Sequence, residues 1–234
     1  MGLRDVLLGK KKLAGPARER LFALTTAAVT MQTELGLRTA GAAGICFKPL
    51  SAGEFVRAEN DLQQLLDSVA AESGSKLERR EDSFGYTWII VRDPDLVDQV
   101  TTIHAVAQGL EEQGFGGQLL AAVFKFEGGK HPVYWIYGFK RGAFWPFVPT
   151  GEDQERDNAE ELELKSKLEK ELPVEQDLTR WLALFDAGGQ RRSGRSLLSG
   201  QEQPAIGIAG GPSAGDHRSG KERGRREDPG CRAG

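Results

Sequence analysis

Residues 118–150 read QLLAAVFKFEGGKHPVYWIYGFKRGAFWPFVPT, and this stretch holds five of the eleven Phe, two of the three Tyr and two of the four Trp of the chain. Side chains alternate across a strand, so Leu120, Ala122, Phe124 and Phe126 fall on one face of a first strand. Gly128-Gly129 supplies the positive φ that a tight hairpin turn requires. A second strand runs from Pro132 to Phe139, with Val133, Trp135, Tyr137 and Phe139 on one side and Tyr134 and Ile136 on the other. Lys140-Arg141-Gly142 is the next turn, and Ala143 to Val148 is a third strand whose Pro146, lacking an N–H, places it at a sheet edge or a bulge. A meander this apolar needs a second layer to cover it, which helices before and after it would supply.

Upstream, Pro16 suits the first turn of a helix reaching about Leu24. The alternation from Ala28 to Leu35 predicts a half-buried strand, although Ala27, Ala28, Met31 and Leu35 also fit a helical stripe. Ala43 to Pro49 reads as a strand. Ser51 and Glu54 form a capping box for a helix whose core face is Phe55, Leu62, Leu65, Leu66 and Val69. Lys76 to Arg80 and Phe84 to Val91 read as paired strands. Asp93 as N-cap with Pro94 at the first position opens a further helix, with Leu96, Val97, Val100, Ile103, Ala107 and Leu110 as its stripe. Downstream, Glu152 to Glu171 reads as a mostly wet helix anchored by Ala159, Leu162 and Leu168, and Val174 to Phe185 as a short helix docked by Leu178, Trp181, Leu182 and Phe185. From Gly188 onward there are twelve Gly and no aromatic residue, a composition expected to be disordered. The reading is an α+β domain over 16–187, an antiparallel sheet of paired and tripled strands with helices on one side. It is preceded by an amphipathic segment at 1–15 and followed by a Gly/Arg-rich tail at 188–234.

Nine Lys or Arg and five Asp or Glu fall in the tail, leaving 22 basic and 29 acidic residues before it. An acidic body disfavours general nucleic-acid binding, which depends on neutralising phosphates. Two Cys are too few for a disulfide scaffold, so a reducing, cytoplasmic setting is expected. In the first thirteen residues Leu3, Val6 and Leu7 fall on one side, followed by Lys10, Lys11 and Lys12. Two readings stand here: an interfacial anchor at the inner face of the cell membrane, or a terminal helix lying on the domain.

Signatures of catalysis are absent: no G-x-x-x-x-G-K-[ST], no H-E-x-x-H and no G-x-S-x-G occurs. Cys46 is expected to be a buried small side chain and His104 a packed residue, and no metal or cofactor is implied. One local feature has binding character. Tyr134, Trp135, Tyr137, Lys140, Arg141, Phe144, Trp145 and Phe147 join aromatic faces to basic charge, which suits stacking on bases or gripping a partner. The plainer reading makes these aromatics core and Lys140-Arg141 a solvated turn. The expectation is core for about half of them, since only one face of a sheet needs covering, with the exposed remainder a protein-binding patch.

The opening MGLRDVLLGKKKL, the run LFALTTAAVTMQTELGL with GICFKPL, the segment FGYTWIIVRDPD, and VYWIYGFKRGAFWPFVPTG with RDNAEELELKSKLEKELPVEQDLTRW resemble the PspA-associated protein family PspAB, over about residues 1–185. The resemblance implies an accessory protein of the phage-shock, envelope-stress system, occurring alongside PspA, which binds stressed membranes, and the membrane protease HtpX. It carries no catalytic residues. The first expectation is therefore a non-enzymatic adaptor binding PspA or a membrane protease. The second is a nucleic-acid-binding module using the hairpins of 118–150, and an enzyme with a site assembled from distant residues ranks last.

Overall fold

A computed structural model describes residues 17–48, 52–82, 84–150 and 155–183, with the backbone alone described for 52–60. The strands are β1 (Arg38–Phe47), β2 (Lys76–Glu81), β3 (Thr87–Arg92), β4 (Leu119–Glu127), β5 (Val133–Gly138) and β6 (Ala143–Phe147). The helices are α1 (Ala23–Leu35), α2 (Ala52–Ser73), α3 (Leu96–Glu112) and α4 (Asn158–Leu168). All strand pairs are antiparallel in the order β2-β3-β1-β4-β5-β6. The fold is thus the expected α+β class, and the meander of 118–150 forms half of the sheet. Tyr137, whose hydroxyl donates to the carbonyl of Ala17, marks the helix-bearing face, which also carries Ile45, Ile89, Phe124 and Trp135. The opposite face, with Cys46, Trp88, Val123, Tyr134, Ile136 and Phe147, is buried as well.

Several elements differ from the sequence expectation, each for a local physical reason. Residues 28–35 belong to α1 and are not a strand. Leu24, Ala27 and Met31 turn inward while Val29 faces solvent, and Thr25 and Thr33 donate back to the carbonyls of Phe22 and Val29 at 2.8 Å each. The helix stops at Gly36, whose φ of +67° lets the Leu37 N–H return to the Met31 carbonyl at 2.9 Å. The expected helix from Pro16 to Leu24 is a 3-10 turn at Arg18–Phe22 that runs into α1. The β4–β5 turn seats directly on the end of α1: a Cβ on Gly128 would lie 2.2 Å from the Gly36 carbonyl oxygen.

Helix α3 is capped by Asp95, which accepts from Val97 N at 2.7 Å, and not by Asp93. Asp93 instead accepts from Asp95 N at 2.9 Å and from the Ser75 hydroxyl at 2.8 Å, tying the helix start to the α2–β2 junction. Val97 is consequently exposed rather than part of the core stripe. Helices α2 and α3 cross closely, since a Cβ on Gly109 would sit 2.4 Å from Leu65 Cδ1. Strand β3 starts at Thr87, not Phe84, because one carboxylate captures the turn. Asp82 accepts from Phe84 N, Tyr86 N and Trp88 Nε1 at 2.9 Å each, and Phe84 points into solvent.

The acidic helix is shorter than expected, and its inward residues are Glu161, Leu164 and Leu168; Ala159 and Leu162 face out. The expected helix from Val174 to Phe185 is a single 3-10 turn at Leu178–Arg180, with Trp181 docked and Leu178 and Leu182 exposed. The Ser51–Glu54 capping box, Phe55, Phe185 and the tail lie outside the described residues or side chains.

Candidate interaction surface

The aromatic part of the candidate binding cluster is core. Tyr134, Trp135, Tyr137, Phe144, Trp145 and Phe147 are all buried, so no aromatic face in this stretch is free to stack on a base or meet a partner. The expectation that about half of them would form an exposed patch is corrected. Strand β5 lies between β4 and β6, and both of its faces are covered. Tyr137 packs edge-on to Phe139 at 5.5 Å and against Phe144 at 4.7 Å, and burial pushes its phenol well above the ordinary range. Lys140 and Arg141 do remain at the surface, with Arg141 paired to Glu175 at 3.2 Å.

That turn sits where the described chain begins. A Cβ on Gly142 would lie 2.7 Å from the Ala17 methyl, and Arg20 Nη1 donates to the Gly142 carbonyl at 3.3 Å. Ala17 and Arg20 therefore lie beside the Lys140-Arg141-Gly142 turn. The candidate membrane residues Leu3, Val6, Leu7, Lys10, Lys11 and Lys12 lie outside the described residues. Among the described residues no helix is long and apolar enough to cross a membrane.

The outer edge of β6 is closed by three different devices. An unpaired strand edge is an invitation to pair with another chain. Phe144 donates to the Pro173 carbonyl and accepts from Glu175 N, both at 2.8 Å, as a one-residue parallel bridge to Val174. Pro146 has no N–H to offer. Val148 N donates to Glu161 Oε1 at 2.9 Å. The other edge, β2, is KLERRE, a strongly charged strand of the kind that discourages uncontrolled pairing.

Glu161 organises this end of the molecule. Its side chain is 2% exposed, and Arg156 meets it through Nε at 2.9 and 3.0 Å and Nη2 at 2.7 Å. Arg156 also donates through Nη1 to the Trp181 carbonyl at 3.0 Å and lies over the Phe147 ring, 5.3 Å from its centroid. Burial pushes the Glu161 carboxyl up, and its bonds from Arg156 and Val148 N pull it back. The segment following α4 is held further by Trp145 Nε1 to the Leu182 carbonyl at 3.0 Å and Trp181 Nε1 to the Glu175 carbonyl at 2.9 Å.

A cleft of about 130 Å³ opens here, lined by Arg156, Asn158, Glu161, Leu162, Leu178 and Trp181. Leu162 and Leu178, 46% and 49% exposed, form its apolar walls, and Leu182, 63% exposed, follows Trp181. Sequence reasoning missed this site. In a segment so rich in Glu and Lys, nothing in the spacing separates the one buried carboxylate from the solvated ones.

The remaining titratable candidates are packed. Cys46 is buried, and burial together with the nearby Asp82 carboxylate pushes its thiol up to about 12. His104 packs against Phe22 with the rings tilted and their centroids 5.2 Å apart, and burial and the Arg18 charge hold its pKa below the ordinary value. Among the described residues no three His, Cys, Asp or Glu side chains are placed to hold a metal ion.

No curated protein and no solved structure matches this chain. The family model for PspA associated protein B, PspAB, matches residues 1–189, and the chain therefore belongs to that family.

Proposed function

We propose that this protein is a non-enzymatic accessory component of the PspA envelope-stress response, acting by contact with other proteins. Membership of the PspA-associated family over residues 1–189 is the observation that carries the reading. The direct partner in this reading is PspA, with a membrane protease such as HtpX as the second choice. The first thirteen residues bring the domain to the inner face of the membrane. A thiol pushed up to about 12 is protonated and unreactive at neutral pH, and the polar groups around Glu161 are engaged in holding segments together. Both features suit a protein that offers a surface. The nucleic-acid alternative has lost its support, because the aromatic side chains it relied on are buried.

The test is affinity purification from envelope-stressed cells, with the full chain and with a variant lacking residues 1–13. The reading expects PspA to be retained by the full chain, with less of the bait in the membrane fraction when 1–13 are removed. Absence of both PspA and the protease from the stressed-cell eluate would refute it.

A further inference from the structure

We propose that the Arg156–Trp181 cleft is a docking site for an apolar side chain of a partner polypeptide, with the partner's main-chain carbonyl accepting from Arg156. The inference rests on the protein-binding reading above and gives it a location and a chemistry.

Exposed apolar side chains meet there. Among the described residues seven large hydrophobic side chains are exposed, and two of them, Leu162 and Leu178, line this one cleft. The packed indole of Trp181 lines it as well. An anchor site for a branched aliphatic side chain has this makeup, an apolar slot with a few fixed polar groups beside it.

The polar groups choose the occupant. A guanidinium has five N–H donors. Arg156 directs Nε and one Nη2 hydrogen to Glu161 and one Nη1 hydrogen to the Trp181 carbonyl. One hydrogen on each terminal nitrogen is left for an incoming acceptor, and Asn158 lines the same cleft. Glu161 neutralises the guanidinium, so the site has donors and no net charge. A free carboxylate would meet the Glu161 charge at close range, whereas a peptide carbonyl would not. The geometry is already held: the Arg156 plane is pinned by the Glu161 carboxylate on one side and the Phe147 ring beneath, so little side-chain entropy is lost on binding.

The test uses acetyl-alanyl-leucyl-alaninamide as probe, titrated into the 15N-labelled full chain while following the Trp181 indole N–H and Arg156 Nε–H resonances. Both resonances are expected to shift saturably, with half-saturation in the millimolar range. The trialanine analogue should bind about tenfold more weakly or worse, because it lacks the group that fills the slot. Leu178→Asp, at a side chain half in solvent, should abolish the shifts and leave the urea midpoint unchanged; Leu162→Asp is the second variant.

Absence of saturable shifts, or equal shifts in both variants, overturns the inference. Shifts that grow with protein concentration alone and vanish in Leu178→Asp would make the occupant a second copy of this chain, which also overturns it. A parallel arm passes purified PspA over immobilised wild-type and Leu162→Asp/Leu178→Asp protein. Equal retention on both removes the cleft from PspA binding while the adaptor reading stands. Peptide binding without PspA retention supports the cleft and counts against PspA as the direct partner.

Discussion

Replacing Arg156 by Ala strips Glu161 of its countercharge and leaves the Val148 N–H as its one remaining donor. Removing one partner of a buried ion pair costs about 3–5 kcal/mol. The structure sets a ceiling on that cost, since the stranded carboxylate can escape by taking a proton. An ordinary glutamate titrates near 4.3, so protonating it at pH 7 costs about 4 kcal/mol, at about 1.4 kcal/mol per pH unit. The penalty in Arg156→Ala should therefore shrink as pH falls below 7, by at most about 1.4 kcal/mol per unit, and level off where the parent's own raised Glu161 takes up its proton. What remains at the acid end is the lost bond to the Trp181 carbonyl and the lost packing over Phe147, together about 1–3 kcal/mol. Urea unfolding followed by tryptophan fluorescence at pH 5, 6 and 7 reads all of this. A pH-independent loss below about 1 kcal/mol, the scale of an exposed pair, would refute the argument that this pair is buried and holds three segments together.

Four further outcomes follow from the same reasoning. In the parent protein burial raises the Glu161 carboxyl above its unfolded value, so its contribution is fully present below the unfolded pKa and is lost as pH rises through the folded one; Glu161→Gln should flatten that part of the stability–pH curve. Gly128→Ala places a methyl 2.2 Å from the Gly36 carbonyl oxygen at a φ of +124°, and should destabilise by roughly 2–3 kcal/mol, read as a fall in Tm. Asp82→Ala strands the Trp88 indole N–H and releases two turn amides, so it should cost about 1–3 kcal/mol and speed hydrogen exchange at Phe84 and Tyr86. Cys46, with its thiol pushed up to about 12, should resist iodoacetamide in the native protein and react at a rate that tracks unfolding as urea is added.

Expectation and structure agree where the determining interactions are local, and part where they are not. The hairpins of 118–150 were legible because alternation, a Gly-Gly turn and a second glycine turn act over a few residues. The stripe of α3 was legible for the same reason, since Val100, Ile103, Ala107 and Leu110 recur at helical spacing. Residues 28–35 suited two periodicities, and packing of Leu24, Ala27 and Met31 on the core selected the helix. The limits of β3 and the cap of α3 shifted because Asp82 and Asp93 took other hydrogen-bond partners, Asp93 one from as far away as Ser75.

The amino-acid order alone determined an antiparallel, aromatic-centred α+β protein, through side-chain alternation and turn chemistry that need no distant partner. It also carried the family membership, which is written in residue identities along 1–189. Only the tertiary structure decided that the aromatic stretch is buried on both faces, because burial depends on what lies above and below a strand. Only the tertiary structure drew Arg156, Glu161, Leu178 and Trp181 into one cleft. A carboxylate becomes special when the fold removes water from it, and that is a property of its surroundings.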